Sequence, residues 1–232
     1  MKLYYDMHIH SALSPCGDED MTPNNIVNMA MLTGLDMIAV TDHNSCKNIR
    51  AVMKAAEGKL RVIPGMEIET SEEVHVLCYF KDIEALEDMG RLVESKMMNI
   101  KNNPEIFGRQ LIMDSEDNVV GEVENLLVSA TSLDIYDVAT EVKTRGGVFV
   151  PAHIDRTSYS ALSNLGFLPL DLPFDAVEIT AKNVERLSGD YQGIPILTSS
   201  DAHYLENIAE RERFFDTEDK IANNFLQFLC KF

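Results

Sequence analysis

Short apolar runs alternate along this chain with longer segments whose apolar residues recur every three or four positions. The first run, residues 4–11, alternates strictly. Tyr5, Met7 and Ile9 are expected on one face of a strand, and Asp6, His8 and His10 on the other. Thr22 followed by Pro23 predicts a helix start, Ile26, Val27, Met29, Ala30 and Met31 its apolar face, and Gly34 its end. Strands are expected over 35–40, 61–68 and 74–80, with a helix over 47–57. Ile83, Leu86, Met89, Leu92 and Val93 share one face of a helix over 81–98.

From Met98 to about Thr131 this rhythm breaks. The stretch is rich in Asn, Asp and Glu and predicts a hairpin around 111–121. It is expected to pack over the mouth of the fold, as a substrate lid or as a structural excursion. The rhythm then resumes with a helix over 133–145, a strand over 148–152 and a short helix over 158–165. A strand over 174–180, a helical turn over 184–187 and a strand over 194–198 follow. Ile221, Phe225, Leu226, Phe228 and Leu229 suit a closing helix within 216–232.

About seven strands alternating with helices indicate an α/β fold with a mostly parallel sheet. No Gly-rich phosphate loop is present, which disfavours an open nucleotide-binding sheet. A barrel with chemistry at the C-terminal strand ends is the better expectation. The chain is read as one domain over 1–232, with 98–131 as the insertion.

Charge and cysteine usage narrow the partners. The 20 basic and 38 acidic residues give a net charge of −18. That balance disfavours long nucleic acids, whose affinity comes from phosphate neutralisation by Lys and Arg. It is easier to reconcile with a small phosphorylated substrate. No apolar run of about 18 residues occurs, so no membrane span is expected. Cys16, Cys46, Cys78 and Cys230 form no CxxC pair, and the N-terminus lacks the basic and apolar regions of a signal peptide. The expected location is cytoplasmic.

The candidate chemistry lies in the histidines. All six, His8, His10, His43, His75, His153 and His203, sit in polar or acidic clusters at the ends of strand-like runs. A common centre fed by several strand ends explains that placement. The ordered set Asp6-x-His8-x-His10, Thr41-Asp42-His43, Gly65-Met66-Glu67, His75, His153 and Asp201-x-His203 resembles the PHP (polymerase and histidinol phosphatase) family. The resemblance spans nearly the whole chain.

It implies a distorted (β/α)7 TIM-like barrel, two or three divalent metal ions, and phosphoester hydrolysis by metal-activated water. Carried over by the resemblance, His8, His10, Glu67 and Asp201 would hold one ion. Glu67 would bridge to a second on His75 and His153. His43, His203 and one residue of the acidic loop would hold a third. Mixed imidazole and carboxylate donors suit Zn, Mn or Fe. The loop Ser14-Pro15-Cys16-Gly17-Asp18 departs from the family pattern. Counting from Ser14 points to Cys16, and counting back from Thr22-Pro23 points to Asp18. Asp18 is favoured because a carboxylate matches the other donors, with Cys16 next and Asp20 more remote.

Asp6 and Asp42, each beside ligands, are expected to accept hydrogen bonds from imidazoles and fix their tautomers. Glu67, Asp201 and His203 are the expected catalytic residues, with Asp201 or His203 protonating the leaving group. Arg156 would hold a phosphate bidentately, against the alternative of an ion pair with Asp155 or a neighbour; Lys182 is weaker. Two rivals remain, an amidohydrolase-like metallohydrolase and a non-catalytic metal-binding regulatory module. The first usually needs a metal-bridging Lys, and no convincing one stands at a strand end.

Overall fold

The computed structural model describes residues 1–169, 171–219 and Gln227. The expected closing helix lies largely outside these residues. Strand β1 (Lys2–Ile9) leads to helix α1 (Pro23–Leu32), where the Thr22 side chain accepts from Asn25 N as the N-cap. Strand β2 (Met37–Val40), helix α2 (Ile49–Ala55), strand β3 (Arg61–Glu69), strand β4 (His75–Tyr79) and helix α3 (Ile83–Lys96) follow. The 98–131 stretch holds a short helix α4 (Pro104–Phe107) and the antiparallel pair β5 (Leu111–Met113) and β6 (Val119–Glu122). Then come α5 (Ile135–Thr144), β7 (Val148–Pro151), α6 (Ala161–Asn164), β8 (Val177–Glu178), α7 (Val184–Leu187), β9 (Ile196–Leu197) and β10 (Phe214–Asp216).

The main sheet has six strands in the order β10-β1-β2-β3-β4-β7, and β8 and β9 form a second, parallel pair. Pairing is parallel from β1 to β3 and antiparallel at β3–β4 and β4–β7. The fold is therefore mixed α/β with a curled sheet rather than a regular βα repeat. Only residues 70–74 link β3 to β4. A parallel neighbour needs a crossover of about a dozen residues, so this link forces a hairpin. β10 was not foreseen; it pairs antiparallel with the start of β1, and Phe215 stacks on Tyr5 at 4.1 Å.

Two apolar layers hold the sheet. One lies between strands and helices and includes Ile9, Ile38, Met66, Leu86 and Val138. The other draws on strands and their flanks from both sheets, including Tyr5, Met7, Tyr79, Val150 and Leu197, so the sheets curl around it. Each such side chain contributes about 1.5–3 kcal/mol on full burial. The buried Tyr79 hydroxyl donates to Met7 O at 2.7 Å, which removes the cost of enclosing it.

The expected strict alternation of β1 fails. Asp6 pairs with Ile38 and Ile9 with Val40, so three steps on β1 face two on β2. This bulge puts Tyr5 and Met7 in one apolar layer and Ile9 in the other. It also lets His8 and His10 converge, with their Nε2 atoms 3.2 Å apart.

Candidate metal centre

Glu67, on β3 and 1% exposed, is where the strand-end side chains meet. Its Oε1 lies 3.0 Å from His75 Nδ1, 3.3 Å from His153 Nε2 and 3.4 Å from His8 Nε2. Its Oε2 lies 3.0 Å from His43 Nδ1 and 3.4 Å from His10 Nε2. Five imidazoles thus surround one carboxylate. Asp201 Oδ1 adds contacts of 3.2 Å to His8 Nε2 and 3.0 Å to His10 Nε2. His203 stacks on His10 at 4.3 Å.

These close approaches are not a completed hydrogen-bond network. Both Glu67 oxygens, Asp201 Oδ1, His43 Nδ1 and His153 Nδ1 are buried without a hydrogen-bond partner. Buried polar atoms are almost always satisfied, so a cluster of orphans facing one another needs a further partner. Divalent ions fit this donor set. Three groups have ligand atoms within 4.8 Å of one another: His8, His10 and Asp201; His43, Glu67 and His75; and His10, His43 and His203.

Backbone strain marks the same place. His153 and Asp201 have φ of 26° and 52°, in the left-handed region that non-glycine residues avoid. Such strain persists where the surrounding structure over-determines it.

The supporting bonds differ from expectation. Asp6 accepts from Ser200 N and Oγ, Ala209 N and His8 N, so it pins backbone rather than an imidazole. Asp42 accepts from Ser11 N and Oγ and from Ser14 Oγ, and Ser14 Oγ in turn lies 2.9 Å from His10 Nδ1. Asp42 therefore acts on His10 through Ser14. The direct carboxylate partner belongs to Glu178, which sequence reasoning missed. Its Oε2 lies 3.1 Å from His8 Nδ1 and accepts from His153 N at 2.9 Å. Glu69 Oε2, 3.7 Å from His75 Nε2, and Tyr159, stacked on His75 at 4.9 Å, were also missed.

Arg156 pairs with Asp201 Oδ2 at 2.5 Å, with 42% of its side chain exposed. Asp155 instead accepts from Thr180 N and Asn183 Nδ2. Lys182 is exposed. Asp18 stands outside all three donor groups; its Oδ1 accepts from Asp20 N, and Asp20 is exposed.

The electrostatics follow from this crowding. Burial opposes charge on Glu67, but His75, His8 and His43 hold it well below the usual carboxylate range. Burial likewise opposes charge on Asp201, and His8 and His10 overcome it. His75 is pushed down by burial and pulled up more strongly by Glu67 and Glu69, to about 9. Burial and the charge of His10 lower His203 to about 4.

A raised histidine contributes stability that is complete below about 6.5 and is lost as pH climbs through its folded value. Metal-stripped protein is therefore expected to lose Tm between pH 6.5 and about 9 more steeply than metal-loaded protein. Thermal melts with chelator and with metal would read this. Parallel slopes would count against it.

The PHP domain family model matches residues 6–145. A lesion-specific endonuclease from Pyrococcus furiosus superposes with a TM-score of 0.68 at 20% identity, over 88% of this chain and 49% of that one. The chain thus spans about half the length of that endonuclease. A protein from Bifidobacterium adolescentis, provisionally named a metal-dependent phosphoesterase, gives 0.65 at 20% identity over 99% and 97%. An amidohydrolase from Chromobacterium violaceum, with bound sulfate and no metal, gives 0.63 at 18% identity over 98% of both chains. At these identities the likeness concerns the fold. No curated protein matches the sequence.

Proposed function

The chain belongs to the PHP domain family, and on that footing we propose that it is a metal-dependent phosphoesterase. Its substrate is a small phosphorylated metabolite, a nucleotide or a short oligonucleotide end. The observation that carries this reading is Glu67, whose two partnerless oxygens face five imidazoles.

His8, His10, Glu67 and Asp201 would hold one Zn, Mn or Fe ion, and Glu67, His75 and His153 a second, with His43 adjoining. When bound, the ions would supply a water deprotonated near neutral pH and positive charge beside the phosphoryl oxygens. The protein does the rest. Glu178 at His8 Nδ1, and Asp42 through Ser14 at His10 Nδ1, keep each ring turned with Nε2 inward. Arg156, anchored on Asp201 yet open to solvent, takes the phosphate at the mouth. Asp201 and His203 are both deprotonated at neutral pH, a state that suits ligands rather than proton donors to a leaving alcohol.

We read β1, β2, β3, β4, β7, β8 and β9 as one distorted seven-stranded barrel within a single domain, with β10 an antiparallel flank on the start of β1. Ile154 N donates to Glu178 O between β7 and β8, and Ile9 bridges to Ala202 after β9. The 98–131 insertion forms part of the rim. Leu111 N donates to Ala12 O, and Asn44 Nδ2 to Leu127 O and Ser129 O, which ties it to segments flanking His10 and His43.

Elemental analysis is expected to find two or three transition-metal ions per chain. A panel of phosphomonoesters, phosphodiesters and amides, assayed with Mn or Zn, is expected to show phosphoester hydrolysis. Amide hydrolysis alone would favour the amidohydrolase reading, and bound metal with no turnover a regulatory module. No metal bound even after reconstitution would overturn the centre itself.

A further inference from the structure

We propose that Tyr159 sets the specificity of the centre, its open ring face stacking on a planar aromatic group joined to the phosphate of the substrate. This rests on the phosphoesterase reading and names the chemistry of the substrate's other half.

Tyr159 meets the centre on one side of its ring. That ring stacks on His75 with 4.9 Å between centroids and 21° between planes, and the Tyr159 carbonyl accepts from His75 N at 3.0 Å. One ring face is thus taken, and the 47% of Tyr159 that stays exposed falls on the other face and the edge. Phe107, Phe167 and Tyr204 are exposed too, but among the described residues no other exposed aromatic stacks on an imidazole of the centre.

The backbone beneath the ring is strained. Tyr159 has a φ of 53°, in the left-handed region that glycine and asparagine enter readily and bulky residues avoid. A large ring on such a turn persists where its surroundings hold it. Ser160, wholly buried, supplies part of that hold. Its Oγ donates to Arg156 O at 2.8 Å, while Arg156 N donates to His153 O at 2.9 Å. The turn from His153 to Ser160 is therefore closed at both ends and presents Tyr159 on a fixed frame.

One turn thus delivers two half-open side chains to the centre. Arg156 reaches Asp201 and Tyr159 reaches His75, with His8 and Glu67 linking those two contacts. A phosphate at Arg156 leaves the organic half of the substrate to lie along the rim, where the exposed face of Tyr159 offers a flat apolar surface. An aromatic ring gains from offset stacking on that face, whereas a saturated ring of similar size gains only the buried area. The ring rather than the hydroxyl carries this contact.

The test titrates metal-loaded full-length protein calorimetrically with 2-phenylethylphosphonate and 2-cyclohexylethylphosphonate, which resist hydrolysis and differ only in the ring. The saturated ring is the more hydrophobic, so tighter binding of the phenyl compound reads stacking rather than burial. The parent is expected to bind the phenyl compound at least about threefold more tightly, and Tyr159→Phe is expected to keep that preference. Tyr159→Asn, which suits the left-handed backbone, is expected to retain its metal by elemental analysis and to lose the preference. Equal binding of the two compounds by the parent, a preference kept in Tyr159→Asn, or one lost in Tyr159→Phe would overturn the assignment and leave the phosphoesterase reading standing. Weaker binding of both compounds together with lost metal in Tyr159→Asn would make Tyr159 a support for His75 and overturn it as well. A parent that binds neither compound would remove the phosphate site and this assignment together, while hydrolysis of the ester panel reports separately on the reaction.

Discussion

Glu67→Gln is expected to lower kcat/KM by about a thousandfold or more, a loss of about 4 kcal/mol in transition-state stabilisation, and to reduce bound metal. Five imidazole nitrogens lie within 3.0–3.4 Å of the Glu67 carboxylate. An amide has nearly the same shape but no charge, and only one of its two terminal atoms can serve as a donor to a metal. On the proposed reading, the substitution would therefore weaken every ion that Glu67 helps to hold. The fold should survive. The backbone of Glu67 stays in the β3–β4 ladder opposite Leu77, and its N–H still donates to Asp42 O. Circular dichroism, elemental analysis and steady-state kinetics on one preparation would separate these effects. Full activity with full metal content would remove Glu67 from the centre.

Arg156→Ala carries the second large effect. A tenfold or greater fall in kcat/KM for phosphorylated substrates is expected, at least about 1.4 kcal/mol, expressed mainly in KM. The guanidinium reaches Asp201 at 2.5 Å from a half-open position, so it can bridge the centre and an incoming phosphate. Arg156→Lys should restore part of the loss, because an ammonium lacks the planar two-point contact. Metal content should hold, since guanidinium is not a ligand. If metal falls along with activity, Arg156 serves to position Asp201. If both variants match the parent, the phosphate is held without it.

The histidines were readable because each sits at one end of an apolar run, with His75 at the start of its strand, and strand ends on one side of a sheet must converge. The chain direction of β4 was readable too, in the short 70–74 link, but apolar periodicity carries no sign of direction and hid it. Glu178 left no such mark. It lies in a two-residue strand, and its partner His8 is 170 positions away, so only the closed fold creates the pair. The relay from Asp42 through Ser14 to His10 escaped for a related reason. Residue adjacency suggested a direct bond, whereas the turn after β1 inserted a hydroxyl between them. β10 escaped because Phe214 and Phe215 sit in a short, charged stretch with no alternation to read.

The neighbouring order of β1, β2, β3 and β4 in the sheet bears on how the centre is born. His8, His10, His43, Glu67 and His75 all come from these strands or the turns after them, within the first third of the chain. A chain made from its N-terminus exposes all five before His153, Asp201 and His203 exist. Glu67 and His75 also meet diagonally across one hairpin, Glu67 standing opposite Leu77 and His75 opposite Glu69, a contact with a low loop-closure cost. An open half-bowl of donors could thus form early, before Asp201 and Arg156 reach it. Later synthesis then lowers Asp201 onto His8 and His10 and draws Arg156 across it. On the proposed metal reading, the donors that come first in the chain would meet ions before Asp201 closes over them.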